Sequence, residues 1–135
     1  MTNKMSYNNV LEILCVEDDD CIREFMVAEL HEAFQDARID VASNGAEALS
    51  KCIERTPSIL ITNVVKNHNM NGFELIKALF GRNIEVPIIV TSEFYSSDDL
   101  AKNGIQLKGN VRFIKKSSSF AEDLVREVNS IVKST

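Results

Sequence analysis

Four stretches carry side chains able to handle a cation or a phosphoryl group, and each follows or closes an apolar run. Glu17-Asp18-Asp19-Asp20 comes after VLEILCV (10–16), and Asn63 lies within PSILITNVV (57–65). Thr91-Ser92 closes VPIIVTS (86–92), and Lys115-Lys116 closes VRFIKK (111–116). Adjacent carboxylates on a loop suit a hard cation such as Mg²⁺, which takes oxygen ligands from one or two carboxylates plus waters. Carboxylates just ahead of a helix equally complement the positive end of its dipole. Taken alone, the acidic run therefore fits a metal site and a helix start alike. Ser92 fits a phosphate-oxygen donor or a strand-end cap, and Lys116 an anion clamp or a solvated charge.

What must position these groups is legible in the apolar pattern. The runs at 10–16, 57–65 and 86–92 are short and nearly continuous, as in parallel strands covered on both faces; RIDVAS (38–43) and 111–116 are weaker strands. Helical stripes lie between them. The first runs from Asp20 to Phe34 through Ile22, Phe25, Met26, Leu30, Ala33 and Phe34; the second, Gly45 to Glu54, carries Ala48, Leu49, Cys52 and Ile53. The third, Gly72 to Phe80, carries Phe73, Leu75, Ile76 and Leu79. A fourth extends a couple of turns past Ser97 before Asn103-Gly104 breaks it, and the last opens at Ser119 with Glu122 at capping-box spacing. Alternating strands and helices imply right-handed crossovers and an α/β fold, an open, doubly wound parallel sheet. In such folds ligands sit beyond the carboxyl ends of the strands, where all four groups fall.

Composition narrows the function. At 135 residues with 44% hydrophobic and 26% charged residues, the chain reads as one globular domain over 10–133, with a flexible polar segment at 1–9. A net charge of -5 and the absence of a basic stripe argue against a direct nucleic-acid binder. The N-terminal MTNKMSYNN lacks the apolar core of a signal peptide, so the expected setting is the cytoplasm, with no membrane association. Three cysteines without C-x-x-C spacing argue against a disulfide framework or zinc site; Cys15 and Cys52 read as small core residues. Neither G-x-x-x-x-G-K-[ST] nor G-x-G-x-x-G is present, which removes the usual nucleotide-binding loops.

The set as a whole resembles the receiver domain of bacterial response regulators, the phosphate-accepting module of two-component and phosphorelay signalling. The resemblance rests on ILCVEDDDCIREF, ASNGAEAL, MNGFELIKAL, PIIVTS and GNVRFIKK, in that order along nearly the whole chain. It implies a flavodoxin-like (βα)5 fold with strand order 2-1-3-4-5. It also implies that Glu17 and Asp18 match the Mg²⁺-binding acidic pair, with the backbone carbonyl of Val65 as a further ligand. Ser92 matches the hydroxyl that contacts the phosphoryl group, Lys116 the clamping lysine, and Phe113 the aromatic that reorients on activation.

The departures from that pattern are informative. The family's third strand ends in an Asp that accepts phosphate from a kinase histidine, whereas this chain has Asn63. A neutral amide has no anionic oxygen for in-line attack and no charge with which to hold Mg²⁺. The loop that follows is one residue longer than D-x-x-M-P-x-M-D-G, Glu93 replaces the small residue after the Ser/Thr, and Ser117 replaces the proline after the lysine. The expected function is therefore a stand-alone receiver, not an enzyme, acting without phosphorylation by binding a sensor histidine kinase or an output protein through its fourth helix, fifth strand and fifth helix. Mg²⁺ should bind weakly, with Lys66 reaching the acidic pair as an internal cation and Glu93 pairing with Lys116. Two alternatives stand beside this reading. One is an ordinary receiver carrying an Asp-to-Asn change at position 63, which leaves the other departures unexplained; the other is a phosphate-handling enzyme using Asp18 or Asp19 as nucleophile.

Overall fold

A computed structural model describes residues 10–64, 71–107 and 110–134. Five strands, β1 (Glu12–Val16), β2 (Arg38–Ala42), β3 (Ile59–Asn63), β4 (Ile88–Ser92) and β5 (Val111–Lys115), alternate with five helices. These are α1 (Asp20–Ala33), α2 (Gly45–Glu54), α3 (Gly72–Gly81), α4 (Ser97–Lys102) and α5 (Phe120–Lys133). All pairings are parallel and the order is β2-β1-β3-β4-β5, the flavodoxin-like arrangement expected. The expected 1–9 segment lies outside the described residues.

The strand period of two divides the apolar residues between two layers. Leu14, Val16, Leu60, Ile88 and Val90 face α2, α3 and α4, packing with Ala48, Cys52, Phe73, Ile76, Leu79 and Leu100. Ile13, Cys15, Ile59, Ile61, Ile89 and Ile114 face α1 and α5, packing with Met26, Leu30, Leu124, Val128 and Ile131. Each fully buried aliphatic side chain contributes roughly 1.5–3 kcal/mol, so these layers hold the central strands firmly.

Several stripe positions differ from the pattern. Phe25 and Ile53 are 46% and 54% exposed, and Ala33 is exposed as well. Helical spacing alone draws a wider apolar face than one sheet can cover, so residues at its margins stay wet. At α5, Ser119 is the N-cap residue but its side chain does not cap the helix. Its hydroxyl donates to Asp123 Oδ2 at 2.9 Å, so the expected Ser119–Glu122 capping box does not form. A true capping box sits at α3, between Asn71 and Glu74. The first residue of that helix has to be Gly72, because a Cβ there would overlap the carbonyl oxygen of Asn63. The close approach holds the end of β3 against the start of α3 and fixes where the Asn63 side chain emerges.

Candidate functional site

Three of the candidate groups reach one place by the same rule. Glu17, Asn63 and Lys116 each lie two residues beyond a side chain buried against α1 and α5, namely Cys15, Ile61 and Ile114. The sheet ladder continues just past the strands to hold two of them: Glu17 N–H donates to Ala42 O at 3.0 Å and Lys116 N–H to Ser92 O at 2.8 Å. Strand period and register therefore aim all three at the same side of the sheet's carboxyl end.

There they bond to one another. Asn63 Nδ2 donates to Glu17 Oε2 at 3.1 Å and to Asp18 Oδ1 at 2.9 Å. Lys116 Nζ lies 2.6 Å from Glu17 Oε1, and Asp19 N–H donates to Glu17 Oε2 at 3.1 Å. Between two carboxylates the amide must present its NH₂ group, since its carbonyl oxygen would meet acceptors only. Glu17 is 1% exposed, and burial pushes its carboxyl above the ordinary carboxylate range, while the Lys116 ammonium and the Asp19 N–H pull it back. This balance is typical of a buried ion pair, which adds little net stability yet is costly to break from one side.

The neighbouring acids serve the backbone. Asp19 is the N-cap of α1 and its Oδ1 accepts from Ile22 N–H at 2.9 Å. Asp20 pairs with Arg23, whose guanidinium also donates to Glu17 O at 2.8 Å. Within the acidic run, Asp19 and Asp20 thus serve the start of α1, while Glu17 and Asp18 turn to Asn63 and Lys116.

Ser92 is buried and its Oγ accepts from Phe94 N–H at 3.2 Å and Tyr95 N–H at 2.8 Å. It caps the turn out of β4, and Tyr95 then packs edge-on against Phe73 with ring centroids 5.4 Å apart. That turn carries Glu93 into solvent, so the expected Glu93–Lys116 pair does not form and Lys116 takes Glu17 instead. Phe113 is half-buried against the layer beneath α3 and α4. Val65 and Lys66 lie outside the described residues, so the carbonyl ligand and the expected Lys66 cation do too. In the sequence Thr91 stands with Ser92 at the end of the apolar run at 86–92, with no role of its own. It pairs in register with Asn63, is fully buried, and its Oγ1 has no hydrogen-bond partner among the described residues.

The described groups do not fit a bound Mg²⁺. A hard cation needs oxygen acceptors facing it, whereas here the oxygens of Glu17 and one of Asp18 already accept from an amide and an ammonium. Asn63 could offer Oδ1 only by turning its amide and giving up both bonds. No group of three or more His, Cys, Asp or Glu side chains able to hold a metal occurs among the described residues.

Comparisons with known proteins agree with this architecture. The chain is 29% identical over 130 residues to a protein-glutamate methylesterase/protein-glutamine glutaminase of Syntrophus aciditrophicus; the match covers 90% of the chain but 37% of that protein's length. A Francisella response regulator receiver domain superposes with a TM-score of 0.75 at 24% identity, covering 91% of this chain and 97% of that one. The chemotaxis protein CheY4 of Vibrio cholerae gives 0.75 at 23% identity, covering 90% and 98%. A CheY-like receiver domain protein of Methanospirillum hungatei gives 0.77 at 19% identity, covering 93% and 95%. These structural likenesses establish the fold, and no helix among the described residues is long and apolar enough to cross a membrane. The response regulator receiver domain family model matches residues 13–129, so the chain belongs to that family and is a receiver domain of two-component signalling.

Proposed function

We propose that this chain is an atypical receiver that accepts no phosphate and acts by binding a protein partner. The observation that carries the reading is the Asn63 amide, spent as a donor to Glu17 and Asp18 where the family's acceptor carboxylate would stand. Phosphoryl transfer requires an anionic oxygen free to attack in line, and a neutral amide supplies none. Lys116, the matching clamp, faces Glu17 rather than an open anion position. Ser92 has its Oγ drawn into the turn after β4. Without an acyl phosphate there is no differential free energy to shift Ser92 and Phe113 between two states, so one Phe113 rotamer prevails. Recognition by a sensor kinase or output protein then uses the face of α4, β5 and α5 as it stands.

Incubation with acetyl phosphate followed by intact-mass measurement tests this reading. The wild type should gain no phosphoryl group. Asn63→Asp should be labelled poorly, because Glu93, Ser117 and the longer loop still depart from the family pattern. A kinase or output protein that binds this chain should do so equally with and without phosphodonor, and more weakly to Phe113→Ala. Stoichiometric labelling of the wild type, or a tenfold rise in affinity on adding phosphodonor, about 1.4 kcal/mol, would overturn the proposal.

A further inference from the structure

The geometry around Glu17 points to a second change of role: we infer that the acidic site has become a metal-independent latch. In it the Asn63 amide and the Lys116 ammonium do permanently what a divalent cation does between paired carboxylates. This rests on reading position 63 as a non-acceptor and goes further, to what the site does instead.

The latch is visible in how the oxygens are used. Glu17 Oε1 takes the Lys116 ammonium, and Glu17 Oε2 takes one Asn63 bond and the Asp19 N–H. Asp18 Oδ1 takes the other Asn63 bond. Glu17 is almost wholly removed from water, and the Lys116 side chain is only 11% exposed, so the pair is sheltered rather than lying on the surface. The contacts join positions 46 and 99 residues apart in the chain, tying the ends of β1, β3 and β5 at one point. Mg²⁺ sheds its water reluctantly and demands near-octahedral oxygen geometry. To enter, it would have to displace the ammonium, turn the Asn63 amide and break two hydrogen bonds to anionic acceptors. The carboxylate pair thus already has internal counter-groups, supplied by neighbouring strands whose positions the sheet fixes. The shape of the strand ends, and of the partner-binding surface beyond them, is then indifferent to divalent cations.

The test is a Mg²⁺ titration of the full chain, read by the ¹⁵N side-chain amide signal of Asn63 and by the thermal midpoint. In the wild type neither should move at millimolar Mg²⁺, and a chelator should change nothing. Lys116→Met strips Glu17 of its cation. It should lower the midpoint without metal, bind Mg²⁺ at least about tenfold tighter than wild type, and recover part of the midpoint when Mg²⁺ is added. Wild-type signals that shift and saturate at millimolar or lower Mg²⁺ would overturn the latch. So would a Lys116→Met variant with an unchanged midpoint and no gain in Mg²⁺ binding. Should that variant fail to fold, the wild-type titration decides alone. A wild type that takes Mg²⁺ yet stays unlabelled by acetyl phosphate would remove the latch and leave the non-acceptor reading intact; labelling would remove that reading itself.

Discussion

Replacing Asn63 by Asp should destabilise this protein when no metal is present. In the wild type Nδ2 lies 3.1 Å from Glu17 Oε2 and 2.9 Å from Asp18 Oδ1. The substitution removes two hydrogen bonds to charged acceptors, each worth roughly 1.5–3 kcal/mol, and sets a third carboxylate against the first two. At about 3 Å and an effective dielectric constant of about 20, each like-charge contact costs roughly 5 kcal/mol before relaxation. Lys116 can turn toward the newcomer, and the introduced carboxylate can escape the repulsion by taking up a proton. The second route sets a ceiling: protonating an ordinary aspartate at neutral pH costs about 4 kcal/mol, from the roughly three pH units above its usual pKa. A protonated carboxyl has one donor and can restore only one of the two bonds, so the roughly 1.5–3 kcal/mol of the other adds to that ceiling, and the expected loss at neutral pH is about 3–6 kcal/mol.

The sign of the pH dependence follows from where the proton is held more tightly. The introduced carboxyl binds its proton more strongly in the folded than in the unfolded state, so the variant's stability falls as pH rises from the unfolded pKa, about 4, to the raised folded pKa. The gap between variant and wild type should thus be smallest near pH 4, where only the second hydrogen bond is missing, widen with pH, and then level off. Urea unfolding of both proteins in chelator across this range measures it. Equal stability at neutral pH, or a gap that does not change with pH, would refute the claim that Asn63 serves as a neutral donor between two charged carboxylates.

Two further outcomes depend on burial. Thr91→Val keeps the side-chain shape while removing a buried hydroxyl that has no partner among the described residues, so it should raise stability by about 1 kcal/mol in urea unfolding. A loss of similar size would mean that the hydroxyl is satisfied. Cys15 is fully buried and burial pushes its thiol up to about 12, Cys52 is also buried, and Cys21 is exposed. A thiol reagent at neutral pH should therefore modify Cys21 quickly in the native protein and reach Cys15 and Cys52 only on unfolding. Rapid native-state reaction at Cys15, located by peptide mapping, would contradict the packing of β1 against α1 and α5.

Much of this protein can be read directly from its residues. Uninterrupted apolar runs mark the buried strands, because a parallel strand covered on both faces has no polar side to show. Apolar stripes at helical spacing mark α1, α2, α3 and α5, and Asn103-Gly104 marks the end of α4, where Gly104 adopts φ +79. That the side chain at position 63 is a neutral amide is equally plain, since it is a matter of residue type. What the chain pattern does not supply is pairing between residues far apart. Adjacent strand ends alone predict that Lys116 meets Glu93, but β4 stops at Ser92 and the turn capped by Ser92 Oγ sends Glu93 outward. Lys116 instead follows the two-residue period of β5 onto the side where Glu17 emerges. Likewise nothing local to Asn63 says that its amide will meet carboxylates 45 and 46 positions earlier. Sequence specifies which side chains are present and which face of an element each occupies. Register and the twist of five strands decide which of them come within hydrogen-bonding distance, and that depends on the whole sheet at once.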